Sequence, residues 1–276
     1  VVKELLGGMQ NNVTALRREG LLPKLAILRV GEREDDMAYE RGIKKRFSSA
    51  EAEVFVTALP VDCTQEALEN TIHRLNADDS VHGILLFRPL PKHLSEDPVK
   101  RIIAETKDVD CMGLTNTAHV FSGSPDGYPP CTPQAVIEML DHYKIDLSGR
   151  KVTVIGRSMV TGRPLAMLLL GRNATVTICH TRTRDLEEEC RRADILIACA
   201  GAAKMVTERF VHPDQIIIDI GVNMDNGVLC GDVDYEAVSR IVSAITPVPG
   251  GVGTVTASVL LKHTVESAKK QSPNYK

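Results

Sequence analysis

Tryptophan is absent from this chain, and tyrosine and phenylalanine contribute only five residues each to its 276. A surface that stacks successive bases needs more rings than that, so single-strand nucleic-acid binding of this kind is excluded. An excess of either charge is also missing: 33 Lys and Arg stand against 36 Asp and Glu, for a net charge of −3. Such a balance collects neither nucleic acid nor an anionic membrane. The longest apolar run, A-M-L-L-L-G at 166–171, is far too short to span a bilayer. The seven cysteines form no C-x-x-C pair and no zinc spacing, so free thiols in a reducing compartment are expected, without disulfides or a metal centre. No charged-then-apolar leader shows in the opening V-V-K-E-L-L, and the cytoplasm is the expected compartment. His82, His93, His119, His142 and His212 also lack metal spacing and are expected at the surface or in loops.

What is present is a twofold α/β rhythm, on a chain long enough for two modest domains. Residues 2–19 carry a helical stripe of Val2, Leu5, Leu6, Met9, Val13 and Leu16, with Gly20 placed as its C-cap. K-L-A-I-L-R-V (24–30) reads as a strand, and a charged helix follows from near Asp36. E-V-F-V-T-A-L (53–59) is a second strand, Thr64 the N-cap of a helix to about Asn76, and G-I-L-L-F (83–87) a buried strand stopped by P-L-P. S-G-S-P-D-G-Y-P-P-C (122–131) is the clearest linker, after which Thr132 and Pro133 form an N-cap and N1 pair. A second series follows: K-V-T-V-I-G (151–156), T-V-T-I-C (175–179), D-I-L-I-A-C-A (194–200) and I-I-I-D-I-G (216–221). These short β-branched runs suit a parallel sheet covered on both faces. The tail from Thr254 reads as an amphipathic helix. The expected fold is α/β: an N-terminal three-layer domain (1–121, completed by 254–276) and a Rossmann-like dinucleotide-binding domain (122–253).

The strand at 151–156 runs into G-R-S-M-V-T-G and then a helix. Gly156 permits a tight turn, and Gly162 lets the helix lie close to the sheet with its first amides facing a pyrophosphate. Ser158 stands where the usual second glycine would be, so the pattern taken alone is also that of an ordinary βα turn. The end of the next strand chooses the dinucleotide. A site for NAD places a carboxylate there; this chain has Cys179, His180, Thr181, Arg182, Thr183 and Arg184. Together with Arg157, that cationic, hydroxyl-rich stretch favours the 2′-phosphate of NADP, unless the arginines merely solvate a loop. T-P-V-P-G-G-V-G (246–253) sets an irregular loop able to approach a flat ring.

K-D-V-D (107–110), P-C-T-P (130–133), V-I-G-R-S (154–158), A-D-I-L-I-A (193–198), I-D-I-G-V-N (218–223), G-D-V-D (231–234) and T-P-V-P-G-G-V-G stand in the order and spacing of one family. The chain resembles the bifunctional methylenetetrahydrofolate dehydrogenase/methenyltetrahydrofolate cyclohydrolase family over nearly its full length. The resemblance implies a folate cleft between the two domains, a homodimer, and NADP as the hydride acceptor for 5,10-methylenetetrahydrofolate, with water then opening the methenyl product to 10-formyltetrahydrofolate. It implies that Tyr39 stacks along the folate and that Asp110 accepts hydrogen bonds from the pterin. Phe87, Arg88 and Pro89 fall on the substrate side, as do Gly250 and Gly251 of the nicotinamide loop. Gly156, Arg157, Ser158, Gly162, His180, Thr181, Arg182, Gly221 and Val222 fall on the cofactor side; no metal is implied.

Two departures fall on the water step. The family pattern Tyr-x-x-x-Lys becomes Y-E-R-G-I, placing Ile43 at the lysine position, and the family Gln-Leu-Pro-Leu-Pro becomes F-R-P-L-P, placing Phe87 at the glutamine. Three readings stay open: a dehydrogenase with weak or no cyclohydrolase activity; a helical bulge at Gly42 that brings Lys44 into the catalytic place; or transfer of the cationic role to Arg88, a poor proton shuttle. Outside this family, the alternatives are an NADP-dependent dehydrogenase of another small acid, such as a shikimate-type enzyme, or a non-catalytic dinucleotide sensor.

Overall fold

The computed structural model describes residues 1–272. The chain divides into two units, one of Val2–Cys131 with the segment from Ala257 onward, the other of Thr132–Thr256.

In the first unit, α1 (Val2–Arg18) turns Met9, Val13 and Leu16 inward. It ends in a Schellman motif, where Leu21 N donates to Leu16 O and Gly20 N to Arg17 O, with Gly20 at φ +79°. β1 (Lys24–Val30) is the middle of a three-stranded parallel sheet between β2 (Glu53–Leu59) and β3 (Gly83–Leu86). Alternation sends Ala26, Leu28 and Val30 to one face, where they meet Leu68, Ile72 and Leu75 of α3 (Gln65–Ala77) and Val99 of α4 (Glu96–Ile102). Leu25, Ile27 and Arg29 take the opposite face and are equally buried. α2 (Glu34–Ser49) lies between β1 and β2 and opens on Glu34, Asp35 and Asp36, acids that suit the positive end of a helix. Thr64 Oγ1 caps α3 by accepting from Ala67 N at 3.1 Å. α5 (Leu114–Ser122) ends on Gly123 at φ +70°.

The stretch read as a linker is pinned. Asn116 Oδ1 accepts from Tyr128 N, and a Cβ on Gly127 would come within 2.2 Å of that same oxygen. α6 (Cys131–His142) starts one residue before Thr132, so Thr132 lies inside the first turn and is not the N-cap. The Cys131 amide is taken by a remote group, Asp110 Oδ1, at 2.8 Å.

The second unit holds a five-stranded parallel sheet built from β4 (Lys151–Ile155), β5 (Thr175–Cys179), β6 (Ile195–Ala198), β7 (Ile216–Asp219) and β10 (Ala244–Ile245), in the order β10-β7-β6-β4-β5. α7 (Gly162–Leu170), α8 (Leu186–Arg191) and the one-turn α9 (Tyr235–Val238) connect them, and β8 (Asn223–Asp225) pairs with β9 (Val228–Cys230) as a hairpin. The order reverses at β4, so the loops after β4 and β6 leave in opposite directions; such a switch point is where open α/β sheets take ligands. The tail forms α10 (Val252–Gln271), buried nearly all round between Val255 and Ala268 instead of amphipathic. Among the described residues no helix is long and apolar enough to cross a membrane.

His82, expected at the surface, is 2% exposed. It sits under β1, with Nδ1 accepting from Lys24 N at 3.2 Å. Burial, then the charges of Lys107 and Lys24, pushes its pKa down from 6.5 to about 4. The folded state therefore prefers the neutral ring, whereas the unfolded chain takes up a proton near pH 6.5. Stability is expected to fall by up to about 3 kcal/mol as pH drops from 6.5 to 4, and to level below that. Urea midpoints across this window measure the slope; if His82→Gln leaves it unchanged, the effect belongs elsewhere.

Candidate functional site

Two clusters of sequence-assigned residues form, one in each unit. In the first unit Tyr39 stands on α2 and Phe87, Arg88 and Pro89 follow β3. The rings of Tyr39 and Phe87 lie 5.5 Å apart at 30°. Arg88 Nη2 is 3.7 Å from Asp110 Oδ2, both side chains largely withdrawn from solvent. Burial, then the negative charge of Asp110, pushes the Tyr39 phenol well above its ordinary value, although the residue keeps 38% of its surface open.

K-D-V-D is a division of labour. Lys107 Nζ donates to the carbonyls of Leu75, Asn76 and Asp78 at 3.2, 2.7 and 2.8 Å, closing the end of α3. Asp108 accepts from Met112 N, Gly113 N and Asn116 Nδ2; burial lifts its carboxyl to about 6 against those three donors. Asp110 alone turns toward Arg88. Behind it, the Cys131 thiol donates to Val109 O at 3.3 Å, and His263 Nδ1 lies 2.9 Å from the same carbonyl.

Lys44 does not join this cluster. α2 is regular from Glu34 to Ser49, so of the three readings the one that needs a bulge at Gly42 finds none. Lys44 Nζ instead pairs with Glu40 Oε1 at 2.6 Å on the exposed side, and Glu40 in turn holds buried Arg29 at 3.0 Å. Ile43, at the lysine position, is fully buried.

In the second unit the turn after β4 is bare backbone in close contact. Gly156 has φ +136°, and a Cβ there would lie 2.4 Å from Cys199 O. A Cβ on Gly162 would lie 2.1 Å from Gly156 O. No side chain caps α7; in its first turn Arg163 N donates to Ser158 O and Leu165 N to Thr161 O, and Pro164 has no N–H, which leaves the Gly162 amide, while Ser158 Oγ accepts from Thr161 N at 3.1 Å. After β5, His180 N donates to Thr183 Oγ1 and Arg182 N to His180 Nδ1, which fixes the ring as an acceptor at that nitrogen. Thr181, Arg182 and Arg157 are exposed, and among the described residues neither arginine has a carboxylate partner. The Gly162 amide at the start of α7, backbone without side chains and two unengaged cations fit the phosphates of a dinucleotide.

Gly221, Val222, Gly250 and Gly251 line a cavity of about 230 Å³ with Leu229 and Pro247. Two carboxylates beside it were not singled out from sequence. Asp219 accepts from Gly221 N, Asp232 N and Val233 N at 2.9, 3.0 and 3.0 Å. Asp232 accepts from Ala200 N, Gly201 N, Ala202 N and Asn223 Nδ2 at 2.6, 3.0, 2.9 and 2.9 Å. Their signal was in the text, since I-D-I-G-V-N and G-D-V-D each put an acid beside a glycine. A Cβ on Gly231 would come within 1.8 Å of Asp219 Oδ2, and one on Gly221 within 2.4 Å of Asp232. Burial raises the Asp219 pKa against the amide donors that lower it.

Comparison with known proteins places these clusters in a lineage. The catalytic-domain profile of the tetrahydrofolate dehydrogenase/cyclohydrolases matches residues 1–110, and their NAD(P)-binding-domain profile matches residues 130–272. The chain belongs to the tetrahydrofolate dehydrogenase/cyclohydrolase family. Bifunctional protein FolD of Clostridioides difficile (strain 630) is 53% identical over 261 residues, 94% of this chain and 91% of that one. The crystal structure of the bifunctional enzyme FolD from Campylobacter jejuni superposes with a TM-score of 0.96 at 38% identity, covering 98% of this chain and 96% of that one. FolD from Trypanosoma brucei, solved with NADP cofactor and an inhibitor, has a TM-score of 0.93 at 33% identity and covers 98% and 95%. Membership of this family sets aside the shikimate-type alternative.

Proposed function

We propose that this protein oxidises 5,10-methylenetetrahydrofolate to the 5,10-methenyl form with NADP as acceptor, and that its water-addition step is slow. The observation that carries the reading is a family member in which the Tyr39–Asp110 cluster and the glycine-crowded α7 entrance are intact while the lysine position holds a buried Ile43. Bound NADP supplies the hydride acceptor. Arg157 and Arg182, with Ser158, Thr181 and the Gly162 amide, hold its phosphates; Gly250, Gly251, Gly221 and Val222 receive the ring. Asp110, with Oδ1 bonded to Cys131 N and Oδ2 paired with Arg88, keeps a lone pair on each oxygen for the paired N–H donors of the pterin edge, and Tyr39 gives the folate a flat surface backed by Phe87. Loss of hydride leaves a cation shared between the two folate nitrogens that flank the bridging carbon.

Opening that cation with water requires a group that accepts a proton. The Tyr39 phenol is held protonated, Arg88 does not give up its proton, and Lys44 is bound to Glu40. Measured separately, hydride transfer is expected to outrun methenyl hydrolysis at least about 100-fold, the lower end of what one general acid–base group contributes. Fast hydrolysis that disappears in Lys44→Ala would overturn this reading. The same proposal includes a cytoplasmic homodimer: seven free thiols suit a reducing compartment, and sedimentation at micromolar concentration tests the dimer.

A further inference from the structure

Asp219 and Asp232 are 3% and 0% exposed; Asp219 ends β7 and lines the 230 Å³ cavity, and Asp232 stands two residues after β9, whose Leu229 lines it. Between them they accept seven N–H bonds, six from backbone amides and one from the Asn223 side chain. Among the described residues neither makes an ion pair with Lys, Arg or His. Amide dipoles solvate a carboxylate, but they leave its charge uncancelled. Asp219 itself lines the cavity, whose other walls include Val222, Leu229, Val248 and Pro249. In such an apolar, weakly polarisable setting, a fixed charge acts on a ring far more strongly than it would through water.

A nicotinamide ring is cationic when oxidised and neutral when reduced. We propose that Asp219 and Asp232 bias this cavity toward the oxidised, cationic ring, so that they set the relative affinity for the two cofactor states as well as the shape of the loops. The inference rests on placing the nicotinamide in this cavity. It makes these acids tuning and positioning residues, not participants in the chemistry. A purely structural role predicts something different: loosening the loops at 200–202, 221–223 and 231–233 would weaken both cofactor states alike.

Calorimetric titration of the full chain separates the two. Three probes are needed: NADP⁺, NADPH, and 2′-phospho-ADP-ribose, which lacks the ring. Wild type is expected to bind NADP⁺ at least as tightly as NADPH. Asp219→Asn and Asp232→Asn are each expected to weaken NADP⁺ about tenfold more than NADPH, with the ring-less fragment unchanged. Equal weakening of both forms overturns the proposal. So does wild type binding NADPH tenfold tighter than NADP⁺, a result that decides the matter even if a variant fails to fold. Failure of wild type to bind any of the three overturns the dinucleotide assignment itself. Binding of the fragment without a difference between the two forms overturns only the electrostatic bias.

Discussion

Replacing Gly162 with alanine is expected to raise the dissociation constant for NADP at least about 100-fold, a loss of about 2.7 kcal/mol, while the chain stays folded. The added Cβ would lie 2.1 Å from Gly156 O, 2.6 Å from Gly156 C and 3.0 Å from Arg157 N. All three are backbone atoms, so no rotamer change relieves the clash. The turn and the start of α7 must separate, and the Gly162 amide moves off the place where a phosphate oxygen would meet it. Gly171→Ala is the control: at the far end of the same helix its neighbours are 3.5 Å away and its φ is −62°. Titration of both variants measures the effect, and a Gly162→Ala constant within threefold of wild type would remove α7 from the cofactor site.

Asp110→Ala is expected to lower kcat/KM for the folate about 1,000-fold with NADP affinity kept. Hydrogen bonds to a charged group are worth about 1.5–3 kcal/mol each, so two lost pterin contacts reach about 4 kcal/mol, or three decades in rate. The substitution also strips Arg88, 19% exposed in its side chain, of its partner and leaves Cys131 N without an acceptor. Asp110→Asn keeps one oxygen for that amide but turns an NH₂ toward Arg88 or toward the pterin donors, and is expected to fall between. Steady-state kinetics with saturating NADP decides; activity within tenfold of wild type in the alanine variant would take Asp110 out of substrate binding.

Local signals carried much of this architecture. Alternation and β-branching placed β1 to β7 to within a residue or two, because a covered parallel sheet needs apolar side chains on both faces. Gly20, Thr64, Gly156 and Gly162 were legible because each answers to a backbone constraint that few other residues satisfy. One signal went unread: Asn226 and Gly227, at φ 51° and 80°, form the two-residue turn of the β8–β9 hairpin. Other features were not local. The α6 start depends on Asp110, 21 residues earlier in the chain. His82 is buried because α10 residues return to it, Ser267 Oγ donating to its carbonyl. β10 is two residues long and follows no periodicity of its own. The departures at Ile43 and Phe87 were plain from sequence, whereas the fate of Lys44 was set by Glu40 and buried Arg29.

The position of β5 has one more consequence. It is the edge strand of its sheet, and the turn behind it is closed by local bonds among His180, Arg182 and Thr183, with Thr181, Arg182 and Arg184 outside the core. Substitutions there cost the core almost nothing, whereas Gly156 and Gly162 tolerate none. On the proposed cofactor assignment, the exposed turn after β5 is the dial for cofactor choice and the crowded glycines are the locked mount, so substitutions at a few exposed positions are expected to change which dinucleotide is preferred without loosening its seat.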